Sequence, residues 1–208
     1  LLQGVQTVII PDELVKDPEQ LLAVLETQAV TRIVLVPSLL RVLLDAHSDL
    51  ALRLSRLRFC VCSGEALPVD NARRFREQLP HCVRLNLYGS SEVAADATYY
   101  QVKEQQFAAS VPIGRPIANT AIYLLDRHMQ PVSIGMPGEL HIGGDGLARG
   151  YFNRPELTEA RFVSNPFSSE PGDRLYKTGD MARYLLDGTI EYLGRLDHQV
   201  KLRGYRIE

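Results

Sequence analysis

The sequence contains little cysteine, and its three cysteines cannot all pair in disulfides. Cys60 and Cys62 lie two residues apart, and no second close pair supplies the remaining ligands of a zinc site. We therefore expect the cysteines to be core thiols.

An excess of charge of one sign is also absent, as is a long apolar run. The formal net charge is −2 and the sequence pI is about 6.2, so the chain has no basic field for a nucleic acid. No apolar run approaches the roughly 20 residues of a membrane helix, and Leu1 to Gly4 lack the charged flank of a signal peptide. We expect no nucleic-acid or membrane partner and a cytoplasmic location.

Residues 1–110 alternate between strand patterns and helix patterns. Asp17, Pro18 and Gln20 are typical of a helix start. Apolar runs at residues 32–36, 57–62 and 83–87 are typical of buried parallel strands, with helices expected from Pro37 and from Pro68 to Leu79. An edge-like strand is expected at Thr7 to Ile10. The pattern predicts an α/β unit with a parallel sheet.

Residues 111–196 contain short alternating strands separated by glycine and proline turns, which predicts a β-rich unit. Asp187-Gly188 favours a two-residue hairpin between strands in the run Arg183 to Leu193. The chain begins just before the edge-like strand and stops inside a charged stretch, so we expect an excised internal segment.

The segment Asn86 to Glu92 follows a buried strand, where ligands of open α/β sheets gather. Its tyrosine could stack on a base, its hydroxyls could meet phosphate oxygens, and Glu92 could bind Mg²⁺. A turn with a half-buried Tyr88 and a solvated Glu92 is the alternative.

Three further motifs are ambiguous when taken singly. Tyr176 to Asp180 is predicted to be a polar turn whose aspartate could accept both hydroxyls of a ribose. The glycines of Gly138 to Tyr151 lack the Lys-Ser or Lys-Thr of a phosphate loop, which favours bulges and tight turns. Gly194 to Arg206 is a charged stretch that suits either a solvated face or a hinge.

The order and spacing of these motifs closely resemble the amino-acid adenylation domains of nonribosomal peptide synthetases. Further matching segments are Ser63 to Leu67, Val111 to Pro116 and Arg154 to Thr158. The resemblance implies part of the large N-terminal domain of an adenylate-forming enzyme, in which the α/β unit precedes a distorted barrel. By this resemblance, residues 1–110 hold the adenine and substrate pocket, and residues 111–196 hold the ribose-binding aspartate. Residues 197–208 form a hinge before a C-terminal domain.

In that family, an amino-acid carboxylate attacks the α-phosphate of Mg-ATP, pyrophosphate leaves, and a carrier protein's phosphopantetheine thiol captures the aminoacyl adenylate. By resemblance, Tyr88 stacks on adenine, Asp180 holds the ribose, and Ser91 and Glu92 are the catalytic contacts to the α-phosphate and Mg²⁺. The implied nucleotide-binding positions are Ser63, Gly64, Glu65, Ala66, Asn86, Tyr88, Gly89, Ser90, Ser91, Asp180, Tyr192 and Arg195. Asp197 matches the hinge.

The implied substrate pocket is small and mostly apolar, with one carboxylate. Its positions are Val34, Val61, Ser63, Leu87, Ala95 and Asp96. A carboxylate in such a pocket is costly unless a cation faces it, so Asp96 favours a substrate that carries an amine. The set resembles β-alanine-activating members, with a small diamino acid as the alternative. Asp96 could instead point to water and select nothing.

The family's phosphate loop and its catalytic lysine have no match here, and neither Lys177 nor Lys201 corresponds to that lysine. We expect the segment alone to form adenylate poorly or not at all. Partners implied are an amino acid, a peptidyl carrier domain and neighbouring synthetase modules. The alternatives are an acyl-CoA or aryl-CoA ligase of the same superfamily, which would not need Asp96, and a nonfunctional structural fragment.

Overall fold

The computed structural model describes residues 4–103, 110–197, 200–202 and 205–207. Within these ranges, no helix has the length and apolar character needed to cross a membrane. Parts of the predicted hinge segment, residues 198–199, 203–204 and 208, lie outside the described residues.

The first part of the chain forms a five-stranded sheet with helices. Its elements are α1 (Asp12–Val15), α2 (Pro18–Thr27), β1 (Arg32–Leu35), α3 (Pro37–Ala46), α4 (Leu50–Arg53), β2 (Phe59–Cys62), α5 (Val69–Gln78), β3 (Val83–Tyr88), a 3-10 turn (Ser91–Val93), β4 (Thr98–Gln101) and β5 (Arg115–Pro116). Strands β1, β2 and β3 are parallel, as predicted, and β4 and β5 continue the sheet in antiparallel pairing.

Helix α2 begins where the sequence predicts. Asp17 accepts hydrogen bonds from the backbone N–H groups of Glu19, at 3.0 Å, and Gln20, at 3.2 Å. The Gln20 side chain also donates to the Asp17 carboxylate at 2.7 Å. These bonds satisfy backbone donors that a helix start leaves unpaired.

The helices bury one face of this sheet in the first core. Leu22, Leu44, Cys60 and Phe75 are among its most buried members. On the other face Val34 remains 70% exposed, because strand residues alternate between the two faces. The first sheet is therefore covered on one side only within the described part of the chain.

The second part is an antiparallel sheet with order β10-β9-β7-β6, and β8 pairs with β9. Its elements are β6 (Thr120–Leu125), β7 (Gly138–Gly144), α6 (Pro155–Arg161), β8 (Phe162–Ser164), β9 (Arg174–Tyr184) and β10 (Ile190–Arg195), followed by the separate pair β11 (Val200–Leu202) and β12 (Tyr205–Ile207). Tyr88 and Val93 from the end of the first sheet belong to the second core, so the two sheets meet there.

The prediction of a strand at Thr7 to Ile10 is wrong. Those residues form no strand, and Ile9 is 89% exposed. A strand requires a hydrogen-bonded neighbour, and none of the described strands pairs with this segment.

The predicted polar turn at Tyr176 to Asp180 is also wrong, because it lies inside the long strand β9. Gly179 adopts a φ of +74°, and the pairing of β7 with β9 shifts register between Glu139 and His141. A bulge in a continuous strand therefore produces the glycine signal that suggested a turn.

The hairpin at Asp187-Gly188 forms, but with three loop residues rather than two. Leu185 N–H donates to the Thr189 carbonyl at 2.8 Å, and Gly188 N–H donates to the Leu185 carbonyl at 2.9 Å. Gly188 takes the left-handed conformation with φ +78°, while Asp187 accepts from the backbone and hydroxyl of Thr189. This is a type I turn followed by a left-handed glycine.

The glycines of Gly138 to Tyr151 lie mainly in strand β7 and its exit, as the structural interpretation predicted. A Cβ on Gly144 would collide with the Asn119 carbonyl, so close packing explains this glycine. All three cysteines are free and buried, as expected of core thiols.

Strand β7 carries the fully buried His141. Its Nδ1 lies 3.0 Å from the Glu139 carbonyl oxygen, and its cross-strand partner on β9 is Lys177. Burial lowers the pKa of His141 and outweighs the Glu139 carbonyl and the Glu139 carboxylate, 4.0 Å from Nε2, which both raise it; the Lys177 charge lowers it further. The unfolded chain therefore binds a proton more readily than the folded chain, so stability is fully present above about pH 6.5 and declines below it.

We predict that the free energy of unfolding falls as the pH drops from about 7.5 to about 5.5, with a slope of at most about 1.4 kcal/mol per pH unit from this group. His141→Gln removes that contribution, as measured by urea unfolding across the pH range. His128→Gln, at an exposed histidine, is the control and keeps the wild-type slope. An unchanged slope in His141→Gln would contradict the assignment.

Candidate functional site

Strand β3 pairs in parallel with β2 on one side and antiparallel with β4 on the other, and the candidate site lies at its carboxyl end. Asn86 and Tyr88 are buried on the helix-covered side of this strand, whereas Leu87 points to the opposite face. Gly89 then approaches the backbone of Ala95 so closely that any side chain would collide with it. The strand end and the following loop therefore fix side chains on both faces of one edge.

The Asp180 carboxylate joins this edge to the second sheet. Its Oδ2 accepts a hydrogen bond from the Tyr88 hydroxyl at 2.5 Å, and its Oδ1 accepts from Arg195 Nη1 at 2.9 Å. Arg195 lies directly opposite Asp180 in the β9–β10 register, which explains why residues far apart in sequence meet. Asp180 is only 5% exposed, so these charge-assisted bonds replace water.

Tyr192 completes the group. Its ring centroid lies 6.2 Å from that of Tyr88, with an angle of 37° between the planes. Burial, followed by the negative charge of Asp180, raises the pKa of Tyr192 to about 12. The same two causes raise the pKa of Tyr88 well above its usual range, so both phenols stay protonated and can donate.

Arg195 also holds Asp197, the predicted hinge residue. Its Nε and Nη2 donate to the two oxygens of Asp197 at 2.6 and 2.8 Å, and Arg161 lies 3.8 Å from the same carboxylate. The hydrogen bonds to Asp197 and the charge of Asp180 raise the pKa of Arg195. One guanidinium thus connects Asp180 to the predicted hinge residue.

Glu92 lies in a second group, formed around the 3-10 turn. It is only 7% exposed, and its Oε1 accepts a hydrogen bond from the Tyr151 hydroxyl at 2.8 Å. The Ala148 N–H donates to the Glu92 carbonyl, also at 2.8 Å. Glu92 is therefore a buried, fixed carboxylate, and the alternative of a solvated Glu92 is wrong.

Two polar atoms near the β3 edge are buried without a hydrogen-bond partner among the described residues: Asn86 Oδ1 and Ser90 Oγ. The Asn86 amide donates to the Pro112 carbonyl at 2.9 Å, which orients its oxygen as an acceptor. Unpaired buried polar atoms are costly, and a polar ligand would satisfy them. With the hard carboxylate of Glu92, which suits Mg²⁺, the residues present fit a magnesium nucleotide.

In the loop Ser63 to Ala66, the Glu65 side chain is already hydrogen-bonded to another element. Both Glu65 oxygens accept hydrogen bonds from Ser38, one from its N–H at 3.0 Å and one from its hydroxyl at 3.1 Å, at the start of α3. Ala66 is exposed, and Gly64 has a φ of +89°. Backbone and small side chains remain available to a ligand, while the Glu65 carboxylate caps a helix.

The implied substrate-pocket residues lie on the open face of the first sheet. Val34 pairs with Val61 across β1 and β2, and alternation places Leu87 on the same face. The Ser63 hydroxyl donates to Asp96 Oδ1 at 3.4 Å, and Ala95, with φ +79°, is exposed beside it. The positions predicted for the nucleotide and for the substrate therefore flank one sheet edge from opposite sides.

The structure thus brings Tyr88, Asp180, Tyr192 and Arg195 into one group, and it places Glu92 in a separate one with Tyr151. Ser91 is exposed on the turn beside Glu92. Tyr151 is absent from the predicted site, because the glycines of its motif predict bulges and tight turns. The signal that could have found it is a tyrosine, able to donate a hydrogen bond, directly after Gly150 in that motif.

Comparisons with known proteins agree on the family and the fold. Residues 1–152 match the family described as AMP-binding enzyme. Tyrocidine synthase 3 of Brevibacillus parabrevis is 45% identical over 208 residues, a match that covers 100% of this chain and 3% of that protein.

Two solved structures are similar over almost the whole chain. Holo-PA1221, described as an NRPS protein containing adenylation and PCP domains bound to a vinylsulfonamide inhibitor, matches with a TM-score of 0.84 and 35% identity, covering 92% of this chain and 33% of that one. IdnL1 matches with a TM-score of 0.89 and 30% identity, covering 96% and 41%. The predicted fold class is confirmed, and the chain spans less than half of these proteins.

We predict that Tyr88→Phe lowers the free energy of unfolding by about 1–3 kcal/mol, because Asp180 loses a donor in a site that water barely reaches. The phenyl ring keeps its packing, so the change isolates the hydroxyl. Urea unfolding measures the difference. Tyr123→Phe, whose ring stacks on Phe167 at 4.8 Å, is the control and leaves stability nearly unchanged. Equal stabilities of the two variants would show that the Tyr88–Asp180 bond contributes little.

Proposed function

Because the chain belongs to the AMP-binding enzyme family, we propose that it is the central part of an amino-acid adenylation domain of a nonribosomal peptide synthetase. The domain activates an amino acid with ATP as the aminoacyl adenylate and releases pyrophosphate. It then passes the aminoacyl group to the phosphopantetheine thiol of a peptidyl carrier domain. The observation that carries the proposal is the Tyr88–Asp180–Arg195 group at the β3 edge.

In this proposal the Asp180 carboxylate accepts hydrogen bonds from both ribose hydroxyls. The two oxygens now accept from Tyr88 and Arg195, so a ribose has to share or replace these donors. Tyr88 offers its ring face to adenine, and Tyr192 lies beside it to flank the sugar. Asn86 Oδ1 supplies an acceptor for the amino group of the base. Each role uses a polar atom or ring face whose position the fold fixes.

Glu92 and Ser91 act at the phosphates. Glu92 would hold Mg²⁺, and when bound, Mg²⁺ neutralises the charge of the phosphates during displacement. Burial of the Glu92 carboxylate in a hydrogen-bonded group reduces the freedom it loses on binding a cation. The exposed Ser91 hydroxyl on the same turn is available to the α-phosphate. Arg195 adds a fixed positive charge beside the sugar.

The open sheet face with Val34, Val61 and Leu87 forms the wall of the amino-acid pocket, and Asp96 faces the amine. The contact between Asp96 and Ser63 supports an inward orientation of this carboxylate. A small substrate such as β-alanine fits this arrangement. Its amine is one carbon further from the carboxylate than the amine of an α-amino acid. Neighbouring synthetase modules are further partners, and because the reaction consumes ATP, a cytoplasmic location belongs to the same proposal.

The test of the function is amino-acid-dependent exchange of pyrophosphate into ATP, with the complete domain that contains this segment and a panel of acids. Amine-bearing acids should stimulate exchange. Stimulation by fatty or aromatic acids alone would favour an acyl-CoA or aryl-CoA ligase, and no exchange with any acid would contradict adenylate formation.

We predict that Asp180→Asn raises the KM for ATP in this assay by about 10-fold or more, because hydrogen bonds to a charged group contribute about 1.5–3 kcal/mol. The KM for the amino acid should change far less. Asp126→Asn, at an exposed aspartate that caps the turn before Gln130, is the matched control. If Asp180→Asn behaves like that control, the aspartate does not hold the ribose.

For the pocket, we predict that Asp96→Asn raises the KM for β-alanine by about 10-fold or more, since the amine loses its charge partner. Propionate, which lacks the amine, is the matched substrate control and should be used equally well or better by the variant. Identical kinetics of wild type and variant with β-alanine would exclude Asp96 as the partner of the amine.

A further inference from the structure

The glycine-rich segment after β7 contacts the Glu92 turn in three places. The Tyr151 hydroxyl donates to Glu92 Oε1 at 2.8 Å, and the Ala148 N–H donates to the Glu92 carbonyl at 2.8 Å. Gly146 packs so tightly that an added Cβ would lie 3.2 Å from the Val93 carbonyl oxygen. One loop therefore holds both the side chain and the backbone of Glu92.

Tyr151 is itself held in place from the other side. Its backbone N–H donates to Thr158 Oγ1 at 2.9 Å, and the same hydroxyl donates to the Arg154 carbonyl at 2.9 Å, which ties Tyr151 to helix α6. Its ring packs edge-on against Phe162, with centroids 5.7 Å apart. Gly150 has a φ of +146° and a side chain there would collide with Thr158. The tyrosine is thus an anchored donor.

We infer that Tyr151 is a positioning residue that fixes the orientation of the Glu92 carboxylate for the magnesium nucleotide, an inference that rests on the proposed function. A carboxylate that ligates a metal usually accepts a further hydrogen bond, which orients it and keeps it ionised. The Tyr151 hydroxyl donates such a hydrogen bond to one oxygen of Glu92. Tyr151 also lines an open cavity of about 520 Å³, whose other lining residues include Phe152, Thr158 and Glu159.

Neighbouring groups favour donation in the stated direction. Burial raises the pKa of Tyr176 far above its usual range, and the adjacent Tyr151 hydroxyl and Glu92 charge act in the same sense. Tyr176 is therefore a neutral phenol beside the Glu92 carboxylate, which accepts a hydrogen bond from Tyr151. The glycine-rich segment therefore does more than pack tightly. It contains both the Tyr151 hydroxyl that donates to the Glu92 carboxylate and the Ala148 N–H that donates to the Glu92 carbonyl.

The experiment compares Tyr151→Phe with Tyr184→Phe in the complete adenylation domain. The control is matched, because Tyr184 belongs with Tyr151 to the residues packed on the second core and its hydroxyl donates to the Ile122 carbonyl at 3.0 Å. Binding of Mn²⁺ in the presence of a nonhydrolysable ATP analogue is followed by electron paramagnetic resonance. Tyr151→Phe should bind Mn²⁺ about 10- to 100-fold more weakly, with wild-type affinity in Tyr184→Phe.

Pyrophosphate exchange gives a second readout. The Mg²⁺ concentration for half-maximal rate should rise in Tyr151→Phe, excess Mg²⁺ should restore the rate, and the KM for the amino acid should stay the same. In a Glu92→Gln background, Tyr151→Phe should have no further effect on Mn²⁺ affinity, because the two residues act as one unit.

Equal Mn²⁺ affinities of Tyr151→Phe and wild type would overturn the positioning role while leaving the proposed function intact. An equal loss of affinity in both tyrosine variants would assign the effect to general packing and overturn it too. Wild-type protein that neither binds the Mn²⁺ nucleotide nor exchanges pyrophosphate would overturn the proposed function itself, and the inference with it.

Discussion

The buried Asp180 carboxylate is the constraint on which the rest of the site depends. It is 5% exposed, yet it carries a charge, and its oxygens accept hydrogen bonds from Tyr88 at the end of the first sheet and from Arg195 in the second. Leaving such a charge without either donor is far more costly than breaking a surface ion pair. The two sheets therefore have to meet with Tyr88 and Arg195 converging on one point, which sets the geometry of the candidate nucleotide site.

The same constraint links the site to its surroundings. Arg195 bridges Asp180 and Asp197, so the residue at the predicted hinge shares a guanidinium with the candidate ribose site. On the other side of β3, the open sheet face and Asp96 border the same strand end. Placing two candidate binding surfaces on opposite faces of one edge needs only strand alternation and one short loop, which contains the left-handed Ala94 and Ala95.

Local signals in the sequence identified much of this architecture. Asp17 and Pro18 marked a helix start, and apolar runs located β1, β2 and β3, because caps and buried strands depend on neighbouring residues. Features that depend on distant partners were harder to find. Thr7 to Ile10 has strand-like residues but no strand to pair with, and Tyr176 to Asp180 looks like a turn because a bulge also needs Gly179. The role of Tyr151 was not predicted, because 59 positions of sequence separate it from Glu92.

A crystal structure of the complete adenylation domain with bound AMP tests the central claim most directly. The account predicts that both ribose hydroxyls lie within about 3.2 Å of the Asp180 oxygens, the normal range of a hydrogen bond, with adenine on the ring of Tyr88. Nucleotide bound away from β3, with the hydrogen bonds from Tyr88 and Arg195 to Asp180 unchanged, would contradict it.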